Sequence, residues 1–132
     1  MTIGGLAKAG GTGVETVRFY QRRGLLEIPE RAGNGGTGGA VRRYDDTHVR
    51  RLRFIRGAQA AGFTLRQVAE LIACEGTDDR ARARHLARER IAALDAKLAE
   101  LAGARDRLSR LAAACAATKD GACPILHAFE EA

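Results

Sequence analysis

The sequence predicts a mainly α-helical chain: a head of short helices carrying one small β-hairpin, then one long helix, then a short loop and a terminal helix. Three observations lead there. The chain is rich in alanine, with two prolines and no Trp in 132 residues, which favours helix and leaves a core of Ala, Leu, Ile and Val. Apolar residues recur at helical spacing in several short stretches and one long one, bounded by capping residues or glycine. A glycine-rich stretch, Gly33 to Gly39, interrupts that pattern between Ile28-Pro29 and Val41 and reads as a hairpin with a loose tip. With 45% apolar and 29% charged residues, the chain is expected to fold. No stretch approaches the run of about eighteen apolar residues that a membrane span needs, and no signal segment opens the chain, so a soluble cytoplasmic protein is expected.

The elements follow in order. Thr2 can cap a short helix bearing Ile3, Leu6 and Ala7, and Gly10-Gly11 end it in a tight turn. A second helix, Val14 to Arg23, has Val14, Val17, Phe19 and Tyr20 apolar, with Gly24 as its stop. Two short helices joined by a glycine turn read as helix-turn-helix. Glu15, Thr16, Arg18, Gln21 and Arg22 on the remaining surfaces are groups that can reach base edges and phosphates. The hairpin, or wing, presents Arg42 and Arg43 on a thin projection. Its glycines lack a following Gly-Lys-Ser/Thr and a strand–helix setting, which rejects a nucleotide loop. Asp45 or Asp46 caps a third helix, Thr47 to Ala61, with Val49, Leu52, Phe54, Ile55 and Ala58 on one side and Arg50, Arg51, Arg53 and Arg56 in a basic patch. His48 reads as a helix-surface residue. After Gly62, Thr64 and Gln67 form a capping box for a fourth helix through Val68, Leu71 and Ile72.

Glu75 to Asp79 breaks the pattern, and a helix from about Asp79 to Cys115 follows. Ala87, Ile91, Leu94, Leu98, Leu101, Leu108, Ala112 and Cys115 make its stripe, with Arg105 filling one position: a two-stranded coiled-coil repeat. At about 1.5 Å per residue it is roughly 50 Å long. A chain this small cannot cover such a stripe, so an antiparallel copy of itself is the expected partner.

Charge is partitioned. Residues 1–56 hold eleven Lys or Arg against five Asp or Glu, whereas residues 57–132 hold eleven of each. The whole excess of +6 lies in the first half, which suggests binding to a phosphate backbone more than it does a mere abundance of Arg. His48, His85 and His127 are scattered and form no acid–base constellation, so an enzyme is not expected. Three cysteines in a cytoplasmic setting argue against a disulfide framework. Cys115 ends the long helix and Cys123-Pro124 opens the last one. Two thiolates across that loop can close on one soft metal ion, or be ordinary buried residues. Cys-x7-Cys alone is too sparse for tetrahedral zinc.

Thr2-Ile-Gly-Gly-Leu-Ala-Lys8, Val14-Glu-Thr-Val-Arg-Phe-Tyr-Gln-Arg-Arg-Gly-Leu-Leu26, Arg42-Arg-Tyr44, Arg51-Leu-Arg-Phe-Ile-Arg56, Ala61-Gly-Phe-Thr-Leu65 and Cys123-Pro-Ile-Leu126 together resemble the MerR family of metal-responsive transcription regulators. The resemblance spans essentially the whole chain. It implies a winged helix-turn-helix head over 1–74, an antiparallel dimerisation helix over 75–115 and an effector loop with a terminal helix over 116–132. It implies a homodimer that binds double-stranded promoter DNA with an overlong spacer and distorts it, so that RNA polymerase engages. Position matches put DNA contact on Thr16, Arg18, Tyr20, Arg42, Arg43, Arg53 and Arg56, and metal ligation on Cys115 and Cys123. The DNA-binding half is most like the mercury-resistance regulators, which have a further Cys where this chain has Arg80. The seven-residue loop is like that of the copper, silver and gold sensors, which use two thiolates. The implied effector is thus Hg(II) or one of Cu(I), Ag(I) and Au(I), with Cys74 the one further thiol available as a ligand. The rival reading is a regulator of the same build that answers oxidants or electrophiles through its cysteines, without metal.

Overall fold

The structure is a computed structural model that describes residues 1–31 and 43–131. The expected wing falls mostly on residues 32–42, Arg42 included, which lie outside the described residues. Among the described residues there is no strand, and six α-helices account for nearly all regular structure. The chain divides into two compact units, Met1–Leu86 and Ala87–Ala132.

The first unit holds α1 (Ile3–Ala9), α2 (Val14–Arg22), α3 (Asp46–Ala60), α4 (Leu65–Thr77) and the start of α5 (Arg80–Ala117). All but α2, which starts after Gly13, begin where a short polar side chain can take up free backbone N–H groups. Thr2 accepts from Gly5 N–H, Thr64 and Gln67 form a reciprocal capping box, and Asp79 accepts from Arg82 N–H. Asp45 caps α3. His48 there departs from the expected surface role: its side chain is 12% exposed, its Nδ1 completes the capping box, and its ring meets Tyr44 edge-on at 5.2 Å. The expected break before α5 is also narrower than a five-residue gap. α4 runs on through Gly76 to Thr77, and Asp78 alone turns left-handed at φ 53°. Asp tolerates that conformation better than most residues.

Leu6, Ala7, Val17, Tyr20, Leu25, Leu26, Tyr44, Val49, Leu52, Ile55 and Val68 form one core. Full burial of each large aliphatic side chain contributes about 1.5–3 kcal/mol. The turn between α1 and α2 is set by sterics: a Cβ on Gly10 would lie 2.8 Å from Leu52 Cγ, so glycine lets α3 press against the turn.

In the second unit α5 continues to Ala117, followed by α6 (Pro124–Ala128) and a 3₁₀ turn, Phe129–Glu131. Pro124 at the first position of α6 donates no N–H where none is needed. Ile91, Leu94, Leu98, Leu101 and Leu108 are all exposed, Leu98 at 64%.

Candidate nucleic-acid interface and thiol pair

α2 is the second helix of the helix-turn-helix. Val17 and Tyr20 hold it to the core, which leaves Arg18 exposed and Thr16 half-buried at its surface. Arg18 pairs with Glu15 at 3.1 Å across one turn, an exposed contact that is easily exchanged for phosphate. Arg23 lies over the Phe19 ring, 5.5 Å from its centroid. Arg43 is exposed ahead of α3.

Arg53 and Arg56 come from α3 but sit at the turn. Arg53 Nη2 donates to Ala9 O at 3.2 Å. Arg56 Nη1 donates to Gly10 O at 2.6 Å and Gly11 O at 2.7 Å. These are carbonyls at the C-terminal end of α1, where helix geometry leaves oxygens unpaired and positive charge is favoured. The two guanidinium groups therefore fasten the turn while remaining on the surface, beside the start of α2.

Tyr20 departs from the expected outward contact. It is 5% exposed, and its hydroxyl donates to Gln59 Oε1 at 2.5 Å. Its ring packs in the core shared by α2 and α3. Gln21 makes a second such link, donating to the Tyr44 hydroxyl at 2.9 Å. Sequence reading missed Gln59, because a polar partner 39 residues away leaves no local signature.

The thiol pair lies in the second unit. Cys115 is in the last turn of α5 and Cys123 is the N-cap of α6. Gly121, at φ 94°, turns the loop. The sulfurs are 3.3 Å apart and both residues are half-buried. α6 is fastened back on α5 by Arg107, whose Nη2 donates to Ala128 O at 3.3 Å and whose guanidinium lies over Phe129 at 5.4 Å. Cys123 is held below the usual thiol range by the N–H of Leu126, then by the Cys115 thiol and the N–H of Ile125. Cys115 is pushed up, first by its hydrogen bond with Cys123, then by burial and by the charge on Cys123. Of the two thiols, Cys123 is therefore the more readily ionised.

Two soft sulfur donors suit a thiophilic ion. No group of three or more His, Cys, Asp or Glu side chains able to hold a metal occurs among the described residues, so a closed tetrahedral site is absent within them. His127 faces Glu130, Nδ1 to Oε2 at 3.4 Å. Cys74 is buried in α4 of the first unit.

A compact helical head with a turn-linked helix pair and a basic surface is the build of a DNA-binding regulator. Residues 1–74 match the family described as MerR HTH family regulatory protein, and residues 49–111 match MerR, DNA binding. The chain is 39% identical over 131 residues to the mercuric resistance operon regulatory protein of Pseudomonas fluorescens, covering 98% of this chain and 88% of that one. Among solved structures it is similar to the transcription regulator PbrR691 of Ralstonia metallidurans CH34 in complex with lead(II), with a TM-score of 0.72 and 32% identity over 98% of both chains. It is also similar to MerR of Bacillus megaterium MB1 in complex with mercury(II), with a TM-score of 0.67 and 32% identity over 98% of this chain and 99% of that one. The chain belongs to the MerR family of transcription regulators. No helix among the described residues is long and apolar enough to cross a membrane.

Proposed function

We propose that this protein is a homodimeric, soft-metal-responsive regulator that activates a resistance or efflux promoter by distorting its spacer DNA for RNA polymerase. Thr16, Arg18, Arg42, Arg43, Arg53 and Arg56 contact DNA, with Tyr20 holding α2 in place. Cys115 and Cys123 bind Hg(II) or one of Cu(I), Ag(I) and Au(I) as thiolates. The observation that carries this reading is the pair of sulfurs at 3.3 Å at the end of an unpartnered apolar helix. A bound soft ion would take one bond from each thiolate, and the loop that carries the two sulfurs would adjust to hold it. Working domains are the head at 1–74, the dimerisation helix at 75–115 and the effector segment at 116–132.

The test is titration of the reduced dimer with each ion against a thiol competitor, alongside promoter transcription. One ion per loop is expected, with affinity rising with pH until both thiols are ionised. Cys115→Ser and Cys123→Ser should each abolish the metal response and leave DNA binding intact. Cys74→Ser separates the ions: loss of response points to a three-thiolate Hg(II) site, and a normal response to two-thiolate binding. A double Cys115→Ser, Cys123→Ser variant that still activates with metal refutes the assignment.

A further inference from the structure

A disulfide needs its sulfurs about 2.05 Å apart, and those of Cys115 and Cys123 already rest 3.3 Å apart with both side chains partly accessible. From this geometry we infer that Cys115–Cys123 is an oxidation site whose disulfide antagonises the metal signal instead of mimicking it. The second half of this inference rests on the metal reading above; disulfide formation itself does not.

The chemistry balances with a small-molecule disulfide as oxidant. The Cys123 thiolate attacks one sulfur of the oxidant, forming a mixed disulfide and expelling the first thiolate. Cys115, deprotonated, then attacks the Cys123 sulfur and expels the second thiolate. The cysteine pair loses two electrons and two protons, and the oxidant leaves as two thiols. Each sulfur's lone pair, needed by a metal ion as a thiolate donor, is now on a bonded sulfur of little affinity. A regulator that needs both thiolates to bind its metal therefore stays off when oxidised, and a thiol reductant restores it.

The experiment oxidises the full-length reduced protein with oxidised glutathione and follows it three ways. Intact mass should fall by two hydrogens per chain, and a non-reducing peptide map should join Cys115 to Cys123. The Cys74→Ser variant should behave identically, and Cys115→Ser should form no such link. Bound Ag(I) or Hg(II) in equilibrium dialysis should drop about tenfold or more and return with dithiothreitol. Transcription by the oxidised protein should remain at the metal-free level with promoter affinity unchanged. A link through Cys74 or between chains, or a stable glutathione adduct without ring closure, overturns the site. Metal-free activation by the disulfide form overturns the antagonism. A reduced protein that binds no metal yet forms the disulfide overturns the metal reading, and with it the antagonism, but not the covalent link.

Discussion

Removing one oxygen from Tyr20 separates its two possible roles. The ring is 5% exposed and the hydroxyl donates to Gln59 Oε1 at 2.5 Å in a partly buried setting. Tyr20→Phe preserves ring packing and deletes only that bond. A typical intramolecular hydrogen bond is worth about 0.5–1.5 kcal/mol net, and half-buried Gln59 can turn to water, so about 1 kcal/mol is expected. For a folding unit of roughly this size, that lowers Tm by about 4–8 °C. Thermal unfolding at fixed protein concentration measures it, because the stability of the proposed dimer would depend on concentration. Adding Gln59→Ala to Tyr20→Phe should cost little more than the worse single change, as expected of residues sharing one interaction. Fluorescence anisotropy on a promoter duplex then reads the other role. Tyr20→Phe should bind DNA as the parent does when both are folded. Arg18→Ala should instead weaken binding and reduce the salt slope by about one. Unchanged Tm with DNA affinity down tenfold or so would place the phenol at the DNA and refute the reasoning.

Three further perturbations test other links. Leu98, 64% exposed in the single chain, sits mid-stripe; in the seam of the proposed dimer Leu98→Asp should cost about 3–5 kcal/mol as an unpaired charge, and sedimentation at micromolar concentration should show the variant as monomer where the parent is dimeric. Arg107→Ala removes the hydrogen bond to Ala128 and the stacking on Phe129, together about 1–2 kcal/mol, so metal affinity should fall up to about tenfold while DNA affinity holds in calorimetric and anisotropy titrations. Asp45, pulled from 3.8 to about 2 chiefly by the Thr47 hydroxyl and then by His48, has a depressed folded value. Its contribution is complete above the ordinary value and is lost as pH falls through about 2. Between pH 4 and 2, wild-type stability by circular dichroism should decline more steeply than that of Asp45→Asn.

What could be read from the sequence was what is decided locally. Thr2, Asp45, Thr64 with Gln67, Gly24 and Gly62 set helix ends through neighbours within a turn, and the structure has its caps and stops there. What escaped was decided at long range. Tyr20 finds Gln59 across 39 residues and Arg56 finds Gly10 across 46, and neither leaves a periodic trace. His48 was read as surface because a histidine next to two aspartates looks solvated; packing on Tyr44 gave it a second purpose. α4 outran its expected end because one glycine, Gly76, costs a helix only about 1 kcal/mol and continuing it keeps backbone groups paired. Cys-x7-Cys was legible as a pair, but a spacing in sequence does not give the 3.3 Å separation, which is reached only in the folded loop turned at Gly121.

The stripe and the thiol pair belong to one physical problem. From Ile91 to Leu108 the large apolar side chains are exposed, and an isolated helix gains little from propensity alone. The second unit therefore lacks the buried apolar surface that stabilises the first, and a partner is the natural source. Cys115 occupies the last position of the same heptad register as Leu101 and Leu108. A change in the spacing of Cys115 and Cys123 is thus applied at the end of the stripe on which the proposed association depends. A sensor built into the core of the head would have to disturb about a dozen well-packed side chains, and close-packed interiors resist small displacements. At the end of a helix whose stabilisation would come from the proposed association, a change in the spacing of two sulfurs works against a far softer element.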